Sequence, residues 1–397
     1  MKVLIADKLP PFVAEQLVAM DCEVEIRADA TAESLPDLVG GAQVLVVRST
    51  KVTAATLAAG RELMLVIRAG SGTNTIDVTE ASRRGVFVAN CPGCNSVAVA
   101  ELAMGLILSI DRRIPDNVAA LREHRWRKKE FGKADGLLGR TLGLVGLGAI
   151  GRELLVRARA FGMRVLVCEP NPAAAAGIPT PDLRTVDEIC AEADIISLHV
   201  PLTGATRGMI GRAQLAAMKR GAILINTARG GLIDRGAMLE AITTNGLRVG
   251  LDVYDDEPAD GEGVIDDPVV DNPGVTGTHH IGASTQQAQD AVGAEVVNLV
   301  SRFKLTGGVP SAVNLARETP ARWQLVVRLV DRIGVLAGVL DALRRGEVNV
   351  QEVENQVFAG AEAAICRLRL DTRPSDDVLA AIDGMGDDII GMQLVPL

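Results

Sequence analysis

The sequence predicts an α/β protein with two doubly wound parallel-sheet domains and a smaller C-terminal α+β module. Short β-branched runs alternate with amphipathic stretches along residues 1–92 and again along 93–285, as in parallel strands covered by helices. The tail, residues 321–397, has a different order of strands and helices. At 397 residues the chain is also two to three times an ordinary domain, so several domains are expected.

The composition excludes some classes of function. With 48% hydrophobic and 23% charged residues, the chain can bury large cores and is not mainly disordered. A net charge of -9 and only two Trp, one Tyr and six Phe argue against nucleic-acid and anionic-membrane partners. No uncharged run approaches the ~18 residues of a membrane span, no secretion signal is evident, and six scattered cysteines fit reduced thiols. We therefore expect a cytoplasmic protein.

The apolar runs give the strands and helices of the first two domains. Strands are predicted at 2–7, 22–26, 43–47, 65–69 and 86–90, and then at 141–146, 164–169, 194–200, 222–227, 248–253 and 274–278. Helical segments are predicted at 95–110, 112–127 and 284–303. Because the last helix could return the chain to the first sheet, we expect a discontinuous first domain, 1–92 plus 286–306, and a second domain, 93–285.

The end of the chain predicts a separate module. Gly, Pro and polar residues at 307–320 are typical of a linker. The following segments read as strand 324–329, helix 334–343, strands 348–356 and 363–370, helix 376–382 and strand 389–395. The order βαββαβ is that of a ferredoxin-like module, which we place at 321–397.

A glycine-rich turn marks the second domain as a Rossmann-like dinucleotide-binding domain. Gly146, Gly148 and Gly151 form a G-x-G-x-x-G pattern directly after a strand and at the start of a helix. Gly146 permits the tight turn, Gly148 admits a pyrophosphate, and Gly151 lets the helix pack close to the sheet. The backbone N–H groups of this turn, including those of Ala149 and Ile150, are expected to hold the phosphates. Glu169, at the end of the next strand, would bind the ribose hydroxyls and repel a 2′-phosphate. NAD is therefore expected rather than NADP.

Three charged or titratable residues follow consecutive strands of this domain. Arg229 follows the strand 222–227, Glu257 follows 248–253, and His280 follows 274–278. Histidine can accept and return a hydroxyl proton at neutral pH, a carboxylate can orient it and raise its pKa, and arginine matches a substrate carboxylate. Because carboxyl ends of parallel strands share one edge, we expect the three side chains to meet there.

The motifs of this region together resemble the D-2-hydroxyacid dehydrogenase family, from the start of the chain to about Gly307. They are the glycine turn, NTARGGLID (226–234), LDVYDDEP (251–258) and HIGAST (280–285). The resemblance implies that Arg229, Glu257 and His280 are catalytic. It also implies cofactor contacts, beyond the glycine turn and Glu169, at His199, Val200, Pro201, Thr227, Ala228, Arg229, Asp252, His280 and Gly282.

Two of the four histidines in the chain leave alternatives open. His279 stands where the family usually has Pro, but the register of Gly282 and Ser284 favours His280 as the reacting histidine. His199 lies in a segment that resembles a cofactor-side loop, and a packing role is an equal alternative for it.

The first domain supplies the expected substrate contacts. The substrate that the resemblance implies is a phosphorylated acid, and its binding site needs more cations than the site of a plain hydroxyacid. Two segments of the first domain resemble the substrate loops of the family. With Arg229 and His280, the expected substrate-binding residues are Arg48, Ser49, Arg68, Gly70, Ser71, Gly72 and Asn74. A basic segment at 121–133 resembles one that the dimer of this family brings near the partner's site, and a solvated surface is an equal alternative. We expect a homodimer or homotetramer.

The remaining motifs are weaker. Residues 331–336 resemble the opening loop of ACT regulatory domains, but Ile333 stands where Pro is usual and the tail contains no histidine, so serine control is left open. Cys91 and Cys94 form a single C-x-x-C with no second pair, so no metal site is expected, and a redox role is a minor alternative.

The resemblance implies NAD-dependent oxidation of 3-phospho-D-glycerate to 3-phosphooxypyruvate, the first step of serine synthesis. One alternative is another D-2-hydroxyacid dehydrogenase, such as a glyoxylate or hydroxypyruvate reductase. An alternative from another class is a corepressor of the same fold that senses NAD(H) without turnover. An intact trio of Arg229, Glu257 and His280 makes the corepressor less favoured.

Overall fold

The structure is a computed structural model that describes residues 1–171, 182–258, 263–316 and 318–397 of the chain. These residues form two compact units, Met1–Asn314 and Leu315–Leu397. None of the helices in the described ranges combines the length and the apolarity that crossing a lipid bilayer requires.

The first sheet of the first unit is parallel and has five strands in the order β2-β1-β3-β4-β5. Strand β3 is buried along its whole length, because helices cover both faces of the sheet. The strands are β1 (Lys2–Ile5), β2 (Glu23–Ile26), β3 (Val44–Val47), β4 (Leu65–Arg68) and β5 (Phe87–Asn90). The helices between them are α1 (Pro11–Ala19), α2 (Leu35–Leu38), α3 (Ala54–Ala59) and α4 (Val78–Arg83).

The second sheet is also parallel, in the order β12-β11-β10-β9-β6-β7-β8. Its order reverses between β6 and β9, which is where ligands bind in open α/β sheets. The strands are β6 (Thr141–Val145), β7 (Arg164–Cys168), β8 (Asp182–Leu183), β9 (Ile195–Leu198), β10 (Ile223–Asn226), β11 (Arg248–Leu251) and β12 (Val275–Gly277). The helices of this region are α5 (Ser96–Arg112), α6 (Ile114–Arg122), α7 (Lys128–Phe131), α8 (Ala149–Ala160), α9 (Val186–Glu192), α10 (Arg212–Ala217) and α11 (Arg235–Asn245).

Helix α12 (Gln286–Thr306) returns the chain to the first sheet. Its side chains Val296, Leu299 and Val300 share one buried core with Val3 and Val13. Thr285 caps the helix by accepting a hydrogen bond from the backbone N–H of Ala288 at 3.1 Å. This packing is what a discontinuous first domain requires, and the boundaries 1–92, 286–306 and 93–285 stay predictions.

Part of the expected linker, 307–320, is fixed to the first sheet. The backbone N–H of Val313 donates to Val88 O at 2.8 Å, and Asn314 Oδ1 accepts from the backbone N–H of Val88 at 2.8 Å. These hydrogen bonds pair groups along the exposed edge of β5. The linker bounds 307–320 stay a prediction. The second compact unit accordingly begins at Leu315.

Two sequence predictions about the second sheet were incomplete. Strand β8, with two residues, is too short to show an apolar pattern, and it was not predicted. The helix predicted at 112–127 is observed as α6, Ile114–Arg122, between two left-handed residues: Arg113, with a φ of 50°, precedes it, and His124, with a φ of 58°, follows it. Much of the segment between β7 and β8, residues 172–181, lies outside the described residues.

The second unit has an antiparallel four-stranded sheet in the order β14-β15-β13-β16. Leu325, Val327 and Leu329 alternate toward a core that they share with Val335 and Val339 of the first covering helix. The elements are β13 (Trp323–Val330), α13 (Val335–Arg345), β14 (Val350–Val357), β15 (Ala363–Leu370), α14 (Asp376–Asp383) and β16 (Ile389–Pro396). The predicted α/β class, with two parallel sheets and a further antiparallel sheet, is therefore confirmed.

Candidate active site

The structure brings the trio Arg229, Glu257 and His280 to one edge of the second sheet. Strands β10, β11 and β12 are adjacent, and each residue lies in the loop that follows one of them. The charge of Arg229 also acts on both of the other groups, lowering the pKa of Glu257 and opposing the rise in the pKa of His280. The three groups are thus close enough to interact electrostatically.

His280 and Glu257 form a hydrogen-bonded pair. The distance from His280 Nδ1 to Glu257 Oε2 is 2.6 Å, and the second carboxylate oxygen, Oε1, accepts from the backbone N–H of Tyr254 at 2.9 Å. Since an ionised carboxylate only accepts, Nδ1 donates, and Nε2 of the ring is left free to accept a proton. The hydrogen bond to Glu257 raises the pKa of His280, against the lowering effect of burial.

The pKa of Glu257 shifts in the opposite direction. Burial alone would raise it, but hydrogen bonds from His280 and from the Tyr254 backbone outweigh burial and lower the pKa below 4.5. Glu257 is therefore ionised at neutral pH, as the orienting partner of a histidine must be.

Asp252 holds the loop that carries His280. This buried carboxylate accepts hydrogen bonds from Thr278 Oγ1 at 2.6 Å and from the backbone N–H groups of Ile281 and Gly282, each at 2.8 Å. His280 itself has a left-handed φ of 53°, which costs free energy for a residue with a side chain. Three accepted bonds leave about one lone-pair site of the carboxylate for a ligand.

Asn226 shapes the turn that presents Arg229. Its Oδ1 accepts from the backbone N–H of Ala228 at 3.0 Å, and its Nδ2 donates to Arg229 O at 2.8 Å. The Arg229 guanidinium donates to Ala228 O at 2.6 Å. A β-carbon built on Gly72 would lie 2.9 Å from Arg229 Nη2, so the loop of the first sheet approaches this guanidinium closely.

Arg68 lies close to two other arginines, Arg229 and Arg48. The pKa of Arg68 is lowered by burial and, in addition, by the charges of Arg229 and Arg48. Its Nε is buried without a hydrogen-bond partner. Such an accumulation of positive charge needs an anion to neutralise it, and a substrate with two anionic groups would supply one.

The other expected substrate residues lie in the two loops that carry Arg48 and Arg68. Asp7 Oδ2 accepts from the backbone N–H groups of Arg48, Ser49 and Thr50 at 2.7, 3.2 and 3.1 Å, so this carboxylate fixes the first loop. In the second loop Gly70 adopts a φ of 155°, and a β-carbon there would collide with Arg68. Asn74 is exposed at the end of that loop.

The glycine turn fits a dinucleotide phosphate. A β-carbon on Gly146 would lie 2.5 Å from His199 O and one on Gly151 would lie 2.3 Å from Gly146 O, so only glycine fits at these positions. Gly148 has open space above it and precedes Ala149 and Ile150, the first residues of α8. The site therefore offers a free helix N-terminus to an anion, as NAD requires.

Glu169 lies beside this turn and forms a hydrogen bond with it. Its Oε2 accepts from the backbone N–H of Leu147 at 2.9 Å, and its Oε1 accepts from the backbone N–H of Asn171 at 3.0 Å. A carboxylate retains further lone pairs for ribose hydroxyls.

The other expected cofactor residues differ in what they present. His199 Nε2 lies 2.9 Å from Ser197 Oγ, its Nδ1 is buried without a partner, and burial lowers the pKa of the ring to about 4. Its side chain is thus a neutral group beneath the turn, while its carbonyl packs against Gly146. Val200 packs against the buried core of the second sheet, and Pro201 is exposed. Thr227 Oγ1 is buried without a partner at the end of β10, where a ligand could satisfy it.

His279, Cys91 and Cys94 are the remaining sequence candidates. His279 is exposed, and Glu257 bonds to His280 rather than to it. Burial raises the pKa of Cys91 to about 12 and also raises that of Cys94, so neither thiol has the lowered pKa of a redox site. Among the described residues, no cluster of three His, Cys, Asp or Glu side chains could hold a metal ion.

Sequence reasoning missed three residues that shape the site: Asp7, Asn90 and Asn226. All three lie at or just after the carboxyl end of a strand, and this position could have marked them as candidates. Their hydrogen bonds to backbone groups, however, leave no recognisable spacing of residues in the sequence.

Comparisons with known proteins agree with this geometry. The family described as "D-isomer specific 2-hydroxyacid dehydrogenase, NAD binding domain" matches residues 104–282. D-3-phosphoglycerate dehydrogenase of Methanocaldococcus jannaschii is 40% identical over 362 residues, which cover 89% of this chain and 67% of that protein. Hydroxypyruvate reductase of Thermotoga maritima is 43% identical over 301 residues, covering 74% of this chain and 95% of that protein.

A solved structure extends the comparison. The NAD⁺-bound 3-phosphoglycerate dehydrogenase of Entamoeba histolytica superposes with a TM-score of 0.66 at 25% identity, covering 79% of this chain and 99% of that one.

Proposed function

Because the chain belongs to the D-2-hydroxyacid dehydrogenase family, we propose that it oxidises 3-phospho-D-glycerate to 3-phosphooxypyruvate with NAD, the first step of serine synthesis. The observation that carries the choice of substrate is a group of three arginines. Arg68 interacts electrostatically with Arg48 and Arg229, and Arg229 also interacts with the His280–Glu257 pair. Phosphoglycerate brings a carboxylate and a phosphate to that group, whereas a plain hydroxyacid brings one anion.

The proton is moved by His280. Its free Nε2 accepts the proton of the C2 hydroxyl in the oxidative direction and returns it in the reductive one. Glu257 holds the ring in the tautomer that leaves Nε2 free and stabilises the imidazolium that forms. NAD, when bound, accepts the hydride from C2.

The substrate is held by cations. The planar fork of Arg229 binds the carboxylate and polarises the emerging carbonyl. Arg48, Arg68 and the polar groups of their loops bind the remaining anionic group. The glycine turn would hold the pyrophosphate of NAD, Glu169 would bind its ribose, and Asp252 and Thr227 would line its nicotinamide end.

A second candidate function is reduction of hydroxypyruvate or glyoxylate. The 43% identity to the Thermotoga hydroxypyruvate reductase favours it, and that relative matches 74% of this chain. The match to the Methanocaldococcus phosphoglycerate dehydrogenase covers a larger share of the chain, 89%.

A substrate panel decides between these activities. We expect NADH formation from 3-phospho-D-glycerate with a kcat/KM at least about 10-fold above that for D-glycerate, since the loss of one charge-assisted contact costs about that factor. NADH absorbance measures both directions, with glyoxylate and hydroxypyruvate added to NADH as the reductive arm. Faster turnover of the unphosphorylated acids would establish the second candidate, and no turnover of any acid would favour the NAD(H)-sensing corepressor.

We also propose that the second unit is an ACT-like module. The order βαββαβ and the loop around Gly334, which has a φ of 92°, support this proposal. If the module controls the enzyme by feedback, millimolar L-serine is expected to lower the rate of NADH formation. An unchanged rate would remove feedback by serine and leave a role in assembly.

Assembly into a homodimer or homotetramer is part of the proposal. The exposed fractions of Leu121 and Trp126, in the basic segment, are 54% and 80%, and that of Leu138, just after it, is 86%. Such exposed apolar side chains fit a surface that a second copy covers. Sedimentation of the purified protein measures this directly, and a monomer at micromolar concentration would contradict it. A cytoplasmic location, supported by six free cysteines, is proposed on the same footing.

A further inference from the structure

We propose that Asn90 is a positioning residue that fixes the substrate loop, residues 68–74, and couples this loop to the segment leading into the second unit. The inference deepens the proposed function and rests on it. Asn90 is the last residue of β5, at the same edge of the first sheet as Arg68, with which it pairs in register. Neither the motifs nor the family resemblance assigned it a role.

Asn90 ties down the middle of the substrate loop. Its Nδ2 donates to Ser71 O at 2.5 Å, and the neighbouring Cys91 N–H donates to Gly70 O at 3.0 Å. Ser71 Oγ donates to Asn95 Oδ1 at 2.8 Å, just beyond the same strand. The loop is therefore held from the chain that follows β5.

The position of this loop sets the position of two guanidinium groups. A β-carbon on Gly70 would collide with Arg68, and one on Gly72 would lie 2.9 Å from Arg229 Nη2. The loop backbone thus lies against both cations. Because a displacement of about 1 Å in a positioning element can cost up to ~10²-fold in rate, the hydrogen bond from Asn90 affects substrate binding without touching the substrate.

The other side of Asn90 faces the start of the inter-unit segment. The backbone carbonyl oxygen of Asn90 accepts a hydrogen bond from Ser311 Oγ at 3.0 Å. The two residues that follow Ser311 are fixed to β5 as well, by the Ala89–Ala312 bridge and by the bond from Val313 N–H to Val88 O. A path of two hydrogen bonds, Ser311 to Asn90 and Asn90 to Ser71, therefore connects the substrate loop to the segment that precedes Leu315, where the second unit begins.

The test is a double-mutant cycle in the full chain with NAD present. Asn90→Asp keeps the size of the side chain but cannot donate to Ser71 O, and we expect it to raise the KM of the acid substrate about 3- to 10-fold, the worth of one hydrogen bond, with a smaller change in kcat and none in the KM of NAD. Ser311→Ala is expected to raise the same KM about 2-fold, and to add nothing in the Asn90→Asp background. Ser82→Ala is the matched control, because Ser82 accepts from Asn314 in the same segment at 3.3 Å without contacting Asn90.

Hydrogen exchange gives a readout that does not depend on turnover. Faster exchange of the amides of residues 68–76 in Asn90→Asp and in Ser311→Ala, but not in Ser82→Ala, supports the coupling. An unchanged KM in Asn90→Asp would overturn the positioning role, and fully additive effects of the two substitutions would overturn the link to Ser311. The KM is measured with whichever acid the wild-type protein turns over best, so failure on 3-phospho-D-glycerate alone refutes the proposed substrate and not this inference.

Discussion

Replacing His280 with Asn is expected to lower kcat for acid oxidation by roughly 10²- to 10⁴-fold, the usual contribution of a positioned general base. Asn keeps a polar side chain of similar reach but cannot take the hydroxyl proton. Hydrogen bonds from Thr278 Oγ1 and from the backbone N–H groups of Ile281 and Gly282 to Asp252 are expected to hold the loop in the variant as in the wild-type protein. The Kd for NADH, measured by fluorescence, is therefore expected to change little while turnover falls.

His279→Asn is the matched control for that experiment. His279 is the adjacent exposed residue, and Glu257 bonds to the ring of His280 instead. Its substitution is expected to change kcat by no more than a few-fold. A larger loss at His279 than at His280 would show that the register of the HIGAST motif has been read one residue out of place.

Much of the fold followed from the sequence, because apolar runs report burial directly. Strand β15 was predicted at 363–370, which are its observed ends, and β3 was predicted at 43–47 and is observed at Val44–Val47. Strand β8 and the end of α6 did not follow. A two-residue strand carries no periodicity, and the left-handed conformations of Arg113 and His124 leave no compositional signal.

For the site, too, some residues could be predicted from the sequence and others could not. Arg229, Glu257 and His280 could be placed together because each follows a strand and parallel strands end at one edge. The groups that hold them could not. Asn226 acts by bonding Ala228 N–H and Arg229 O, and Asp7 acts by accepting three consecutive backbone N–H groups, and such contacts appear only when the turns are built.

The pH dependence of Glu257→Gln tests the coupling within the His280 pair. The hydrogen bond to the ionised Glu257 is the main cause of the raised pKa of His280. Gln keeps an oxygen that can accept from Nδ1 but carries no charge, so the substitution is expected to lower that pKa. In the oxidative direction the base must be neutral, so kcat/KM rises with pH through the pKa of His280. The rising limb of the profile is therefore expected to move to lower pH in the variant.

The reductive direction gives the complementary sign. There His280 must be protonated, so kcat/KM falls as pH rises through the same pKa, and this falling limb is also expected to move to lower pH in Glu257→Gln. Because Gln cannot stabilise the imidazolium, kcat should fall by at least about 10-fold in both directions.

The neighbouring Asp256→Asn removes an equal charge from a side chain that is 75% exposed and pairs with Arg235, so it is the control for a general electrostatic effect. Initial rates at constant ionic strength from pH 5 to 10 would show both limbs within the range that the ~6.5 reference pKa of histidine makes accessible. If the limbs of Glu257→Gln stayed in place, or moved as little as those of Asp256→Asn, then Glu257 would not set the proton affinity of His280, and the orienting role assigned to this carboxylate would be wrong.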